Sequence, residues 1–183
     1  MRTHVWLVAL VISLVPGCFS EHFVAPAPEV DFIAHTRSGS SFRIVTPPRV
    51  SDAATEICSE GACVRGLRRQ MESGLAQTLG TLAQPARDAA DADYLGTLTS
   101  VSFTAHPIWN RASLESVDLS LSWRFVLRDR RTNQDVVRLQ GTEHGAAPRG
   151  AGLVEQLRAL EHDALARIEQ AVARSALTAP VGH

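Results

Sequence analysis

The chain has 183 residues, 45% of them apolar, and a formal net charge of −1. That length supports one domain with a true core. The near-neutral balance, with all 18 basic residues Arg, gives no polybasic or acidic stretch that would point to nucleic acid or a charged substrate. At the amino end, Arg2 and His4 form a short basic region ahead of an eleven-residue apolar run, Val5 to Val15. Such a run is too short to anchor across a bilayer and fits the core of a secretory signal peptide. Residues 1–17 are therefore read as leader, not fold.

The run ends in Val15-Pro16-Gly17-Cys18. This resembles the lipobox of bacterial lipoproteins, with an aliphatic residue three places before the cysteine and a small one just before it. Pro16 departs from the Ala, Ser or Thr usual at the place between. The resemblance implies that Cys18 is diacylated on sulfur, becomes the mature amino end and is N-acylated, with palmitate-type chains. At ~0.8 kcal/mol per buried methylene, three such chains hold a protein on a membrane permanently. Phe19 follows the cysteine where Asp retains enterobacterial lipoproteins at the inner membrane. The expected location is the cell envelope, on the periplasmic face of the outer membrane.

Residues 18–30, with Ala25-Pro26-Ala27-Pro28, read as an extended lipidated tether. Residues 31–178 form the expected domain and 179–183 a tail. Asp31 to His35 suggests a short strand, and Phe42 to Val45 a strand stopped by Pro47-Pro48. The residues after it, to the second cysteine of the domain, read as loop. Within them Cys58 and Cys63 bracket Ser-Glu-Gly-Ala in a compartment that permits disulfides. A small-loop bridge is the expectation, with free thiols, a metal pair or a redox pair as alternatives. No His lies nearby in sequence, and the spacing is not Cys-x-x-Cys.

Val64, Leu67, Met71, Leu75, Leu79 and Leu82 then step by three or four, the stripe of an amphipathic helix. Gly74 lies beside the stripe, where close approach to a sheet would use it. Asp93 to Phe103 reads as a strand with Leu95, Val101 and Phe103 on one face and Tyr94 and Leu98 on the other. His106-Pro107-Ile108-Trp109-Asn110 is expected to break it. From Val117 to Leu127 every second residue is apolar: Val117, Leu119, Leu121, Trp123, Phe125, Leu127. Strict alternation marks a long strand, Ser116 to Arg128, buried on one face. Asp129 to Gln134 is a polar hairpin turn, Val136 to Glu143 the returning strand, and Gly145 to Gly152 a loop. Leu153, Leu157, Leu160, Ala164, Ile168 and Val172 mark a second helix, with Asp163 and Arg167 spaced to pair on its wet side.

The order strand, helix, strand, strand, strand, helix leads to an α+β fold. It is expected as a two-layer sandwich, a mixed sheet of about four strands with both helices on one face. The layout is similar to that of envelope lipoproteins that assist transport machines, namely the lipopolysaccharide-assembly lipoprotein of the outer membrane (LptE-like) and the auxiliary lipoproteins of ABC-type lipid transporters. The residues that carry this likeness are Ala92-Asp93-Tyr94-Leu95 opening a strand, Ser120 to Arg131 running into a hairpin, and the two striped helices. The segment from Thr46 to Cys63 departs from both families, and no functional residue is carried over.

No catalytic or metal-binding motif is present: no Gly-x-Ser-x-Gly, no Gly-rich phosphate loop, no His-Glu-x-x-His. Glu143-His144 and His162-Asp163 read as solvent-facing pairs, and His22, His35 and His106 have no partner at ligand spacing. Two features suit partner binding. One is the polar row Asp118, Ser120, Ser122, Arg124 on the face opposite the helices. The other is Ile108-Trp109, where an exposed Trp would be an anchor. An open sheet edge is a third route. The expectation is a non-enzymatic membrane-anchored component of an envelope lipid or lipopolysaccharide transport complex. It would have an envelope protein partner, no cofactor, no metal and no nucleic acid. A periplasmic enzyme with an unfamiliar site and a structural surface lipoprotein are the competing classes.

Overall fold

The computed structural model describes residues 21–28, 39–47, 56–60, 62–111, 113–148 and 152–175. The leader, Cys18, the Asp31 to His35 segment and the tail lie outside them. The sheet is laid down against Ser113–Asp129, here β7. Val117, Leu119, Leu121, Trp123, Phe125 and Leu127 are all buried, as their alternation requires. Burying six such side chains contributes on the order of 10 kcal/mol, enough to fix the strand's register.

β6 (Tyr94–Asn110) and β8 (Gln134–Pro148) flank β7, both antiparallel to it. The start of β6 pairs in parallel with β2 (Ser41–Ile44), and β2 pairs with the two-residue β5 (Gln84–Pro85). The sheet order is β5-β2-β6-β7-β8. Helices α1 (Leu67–Leu79) and α2 (Leu153–Ser175) bury their stripes in the same core as the odd-numbered residues of β7. The fold class is thus α+β, with five strands in this sheet rather than four. The β7–β8 turn is set by Asp129, whose Oδ1 accepts from the backbone N–H groups of Arg131 (2.8 Å) and Thr132 (2.9 Å). Asn133 supplies the left-handed residue the turn needs, at φ 56°.

A second sheet was not expected. β1 (Glu21–Val24), β3 (Glu56–Ser59) and β4 (Ala62–Arg65) form it in the order β1-β4-β3. The supposed loop before Cys63 contains a β-hairpin, with Cys58 directly opposite Cys63 and bonded to it. The supposed tether is corrected over residues 21–28: Glu21–Val24 is a strand parallel to β4, and Ala25 is buried in the core. The helix begins at Leu67 rather than Val64. Gly66, at φ 75°, takes the left-handed conformation that separates β4 from α1.

Four further expectations are corrected. A register shift between Leu98 and Ser100 inserts Thr99 as a bulge. It reverses the alternation, so Leu98 and Phe103, expected on opposite faces, lie opposite Phe125 and Leu121 in the same core. Strand β6 runs through His106-Pro107 to Asn110 instead of breaking. Proline is tolerated there because, among the described residues, β2 pairs only as far as Gly96 and that side of β6 carries no ladder at Pro107 for a missing N–H to interrupt. β8 extends to Pro148 for the same reason, as the outer strand of the sheet. Gly74 serves close approach to α2 and the N-terminal segment, not the sheet. A Cβ there would lie 2.6 Å from both Leu165 Cδ1 and Pro28 Cγ.

Candidate functional site

The face of the sheet turned away from the helices is polar by sequence alternation, and its polar groups are tied to one another. Ser120 Oγ and Thr104 Oγ1 are 2.6 Å apart, Ser122 Oγ and Thr142 Oγ1 2.9 Å apart. Arg124 donates to Gln140 Oε1 at 3.3 Å. Asp118 stands opposite His106 on β6 and Ala146 on β8. The row Asp118, Ser120, Ser122, Arg124 is therefore one continuous surface crossing three strands, as its spacing suggested.

Towards the β7–β8 turn this surface dips into a hollow of about 720 Å³ bordered by Thr99, Arg124, Val126, Arg128, Asp135 and Arg138. Arg128 Nε and Arg138 Nη2 both donate to the Asp135 carboxylate, at 2.8 and 2.5 Å. These two bonds, Arg138 first, hold the Asp135 carboxyl below the usual carboxylate range. Three guanidinium groups thus share one carboxylate and one neutral amide. A second, smaller cleft of about 370 Å³ lies between β2 and α1, bordered by Ile44, Arg69, Glu72 and Ser73.

The other expected feature lies at the far end of the sheet. Ile108 and Trp109, beside the β6–β7 turn, are 39% and 51% exposed. The outer edge of β8 is the third: among the described residues no strand pairs with it.

The candidate acid–base groups do not assemble. Glu143 and His144 point to opposite faces of β8; His144 is exposed, while Glu143 is buried beneath α2. Glu143 Oε1 accepts from Trp123 Nε1 at 3.2 Å, and Oε2 lies 3.1 Å from Arg167 Nη2. The pair expected between Asp163 and Arg167 is thus replaced by Arg167 with Glu143. His106 lies 3.5 Å from Glu60, both well exposed. His22, remote in sequence from the cysteines, is carried by β1 to a place beside Cys63 and Glu56. Cys63 is already bonded to Cys58, so it offers no thiolate to a metal, and His22 pairs with Glu56 at 3.1 Å.

One titratable group escaped the sequence reading. Glu161, on α2, is fully buried and neither carboxylate oxygen has a hydrogen-bond partner among the described residues. Burial pushes its pKa up to about 8 against the opposing pull of Arg158. The available signal was its spacing, four residues from both Leu157 and Leu165, which places it on a buried face. No helix among the described residues is long and apolar enough to cross a membrane.

No protein-family model and no curated protein matches the chain. Weak structural likenesses are found to uncharacterized lipoprotein B from Nitrosomonas europaea (12% identity, TM-score 0.49, 75% of this chain and 84% of that one). Others are to the minor lipoprotein of Acinetobacter baumannii (14%, 0.48, 75% and 98%) and rare lipoprotein B of Shewanella oneidensis (10%, 0.44, 73% and 93%).

Proposed function

We propose that the chain is a lipid-anchored envelope protein that works by binding, as an assembly component of a lipid or lipopolysaccharide transport complex at the outer membrane. The observation that carries the anchor is Val15-Pro16-Gly17-Cys18 in register behind an eleven-residue apolar run. A binding rather than catalytic role is favoured by how the polar groups are spent. The hydroxyls and guanidiniums of the helix-free face pair across strands, and His144 is turned to the opposite side of β8 from Glu143. A broad, hydroxyl-rich face rimmed by Arg suits a wet protein interface, in which polar groups and trapped water share the contact.

The experiment has two readouts. Mass spectrometry of the amino-terminal peptide should find Cys18 acylated, and Cys18→Ser should move the protein from the membrane to the soluble periplasmic fraction. Affinity isolation from detergent-solubilised envelopes should then recover a transport component, and Ser122→Arg should abolish that recovery without unfolding the domain. An unmodified Cys18 would overturn the anchor. Recovery of nothing above background would overturn the binding role.

A further inference from the structure

β1 starts only three residues after Cys18, so the chain has no length for a tether. Three residues reach at most about 11 Å, and the acyl chains must enter the bilayer within that distance of Glu21. The sheet register says which end of the molecule this is. Glu21 lies opposite Ala62, and Ala62 opposite Ser59. The Ser59 hydroxyl accepts from the N–H of Ala105 at 2.9 Å and donates to its carbonyl at 3.1 Å, fastening the small sheet to the open side of β6. Glu21, Ala62, Ser59 and Ala105 thus share one level, Glu21 and Ser59 being two strand spacings, about 10 Å, apart.

Direction follows from the next turn of chain. Past the end of β4, Arg68 donates to the carbonyl of Leu98, so β4 and the parallel β1 descend β6 from Ala105 towards Leu98. β1 therefore starts at the Ala105 level and runs away from the Asn110 end of β6. Trp109 is four residues beyond Ala105 on an extended strand, about 13 Å further on. The exposed Ile108–Trp109 pair lies beyond the Ala105 level on the side from which β1 starts, and chain length alone keeps Cys18 within about 11 Å of Glu21.

We propose that Ile108 and Trp109 are a second membrane contact, inserted at the interface of the bilayer that holds the acyl chains. Trp and an aliphatic neighbour at the level of the headgroups are the residues this interface selects. Two contacts fix the domain's tilt, with the long sheet standing away from the membrane and its helix-free face open along its length. The inference rests on the lipid-anchor reading, and the test separates the two.

After removal of the leader, which carries Trp6, the two tryptophans left are Trp109 and the buried Trp123. Quenching by a lipid-borne quencher therefore reports Trp109. The full mature protein, its acylation checked by mass, is reconstituted into vesicles of phosphatidylethanolamine and phosphatidylglycerol with acyl chains brominated near the headgroup. Trp109 should lose roughly half of its emission and shift to the blue, as an indole at the interface does, and Trp109→Ala should remove the quenchable component while leaving the protein vesicle-bound. An acylated, vesicle-bound protein whose Trp109 remains unquenched and red-shifted overturns this inference alone. Shielding of Trp109 only on addition of envelope protein overturns it in favour of a protein contact. A protein that arrives unacylated and soluble overturns the anchor reading instead.

Discussion

The indole N–H of Trp123 on β7 donates to Oε1 of Glu143 on β8 at 3.2 Å, beneath α2. Both are buried, and Arg167 of α2 reaches in from the surface to the other carboxylate oxygen. Replacing Glu143 with Ala leaves a buried indole N–H unmatched, costing about 1–3 kcal/mol. Glu143→Gln keeps an acceptor for the indole and should cost under about 1 kcal/mol. Arg167→Ala should cost no more than that, because its side chain is 62% exposed and the pair is screened. Urea denaturation of the three variants checks the order, and a Glu143→Ala as mild as Arg167→Ala would contradict it.

The same indole requires Gly141. A Cβ at that position would lie 2.5 Å from Trp123 Cζ2, within a strand pair that cannot spread. Gly141→Ala should destabilise by about 1–3 kcal/mol through overpacking and alter the near-ultraviolet signal of Trp123. Gly39→Ala is the control, since nothing lies within 4 Å of the added Cβ. Equal melting temperatures for the two variants would contradict the packing account.

Alternation in Val117 to Leu127 and the stripe in Leu153 to Val172 were legible because each element buries one face and wets the other. What escaped has a physical cause in each case. The bulge at Thr99 reverses parity without any residue that announces it, so simple alternation puts Leu98 on the wrong face. Ala62, Cys63 and Val64 are all buried, and a central strand without alternation gives no period to read. Pro107 looks like a breaker until the open side of β6 is known, a fact that belongs to the topology. Glu143 followed by His144 read as a solvent-facing pair because two adjacent polar residues suggest a loop. The glycines at 141 and 145, which make room for Trp123 and Gln156, were the overlooked sign of a crowded strand.

The disulfide closes a loop of five residues' separation between β3 and β4. Chain entropy alone makes such a bridge worth roughly 2 kcal/mol. Its mechanical effect is local, because the hairpin's attachment to the main sheet runs through Ser59 and Ala105. Cys58→Ala with Cys63→Ala should speed hydrogen exchange at the Ala105 amide while leaving the amides of β7 protected. Uniformly faster exchange across both sheets would show that the two unfold together.

Glu161 makes stability depend on pH with a sign opposite to that of a salt-bridged carboxylate. Its folded pKa, about 8, stands above its ordinary value of 4.5 because burial disfavours the charged form. Between those two values the folded chain holds a proton that the unfolded chain has released. Stability from this group is therefore greatest below about pH 4.5, falls as pH rises towards about 8, and levels off above it. The full difference is on the order of 5 kcal/mol. Denaturant midpoints at about pH 5 and about pH 8 should differ in that direction for the native chain. Glu161→Leu should remove most of the slope and raise the midpoint at the higher pH, because it replaces a buried carboxylate without a hydrogen-bond partner among the described residues by a side chain suited to the site. A slope of the same size in Glu161→Leu would assign the pH dependence to other groups. A rise in native stability between the two pH values would contradict the burial of this carboxylate.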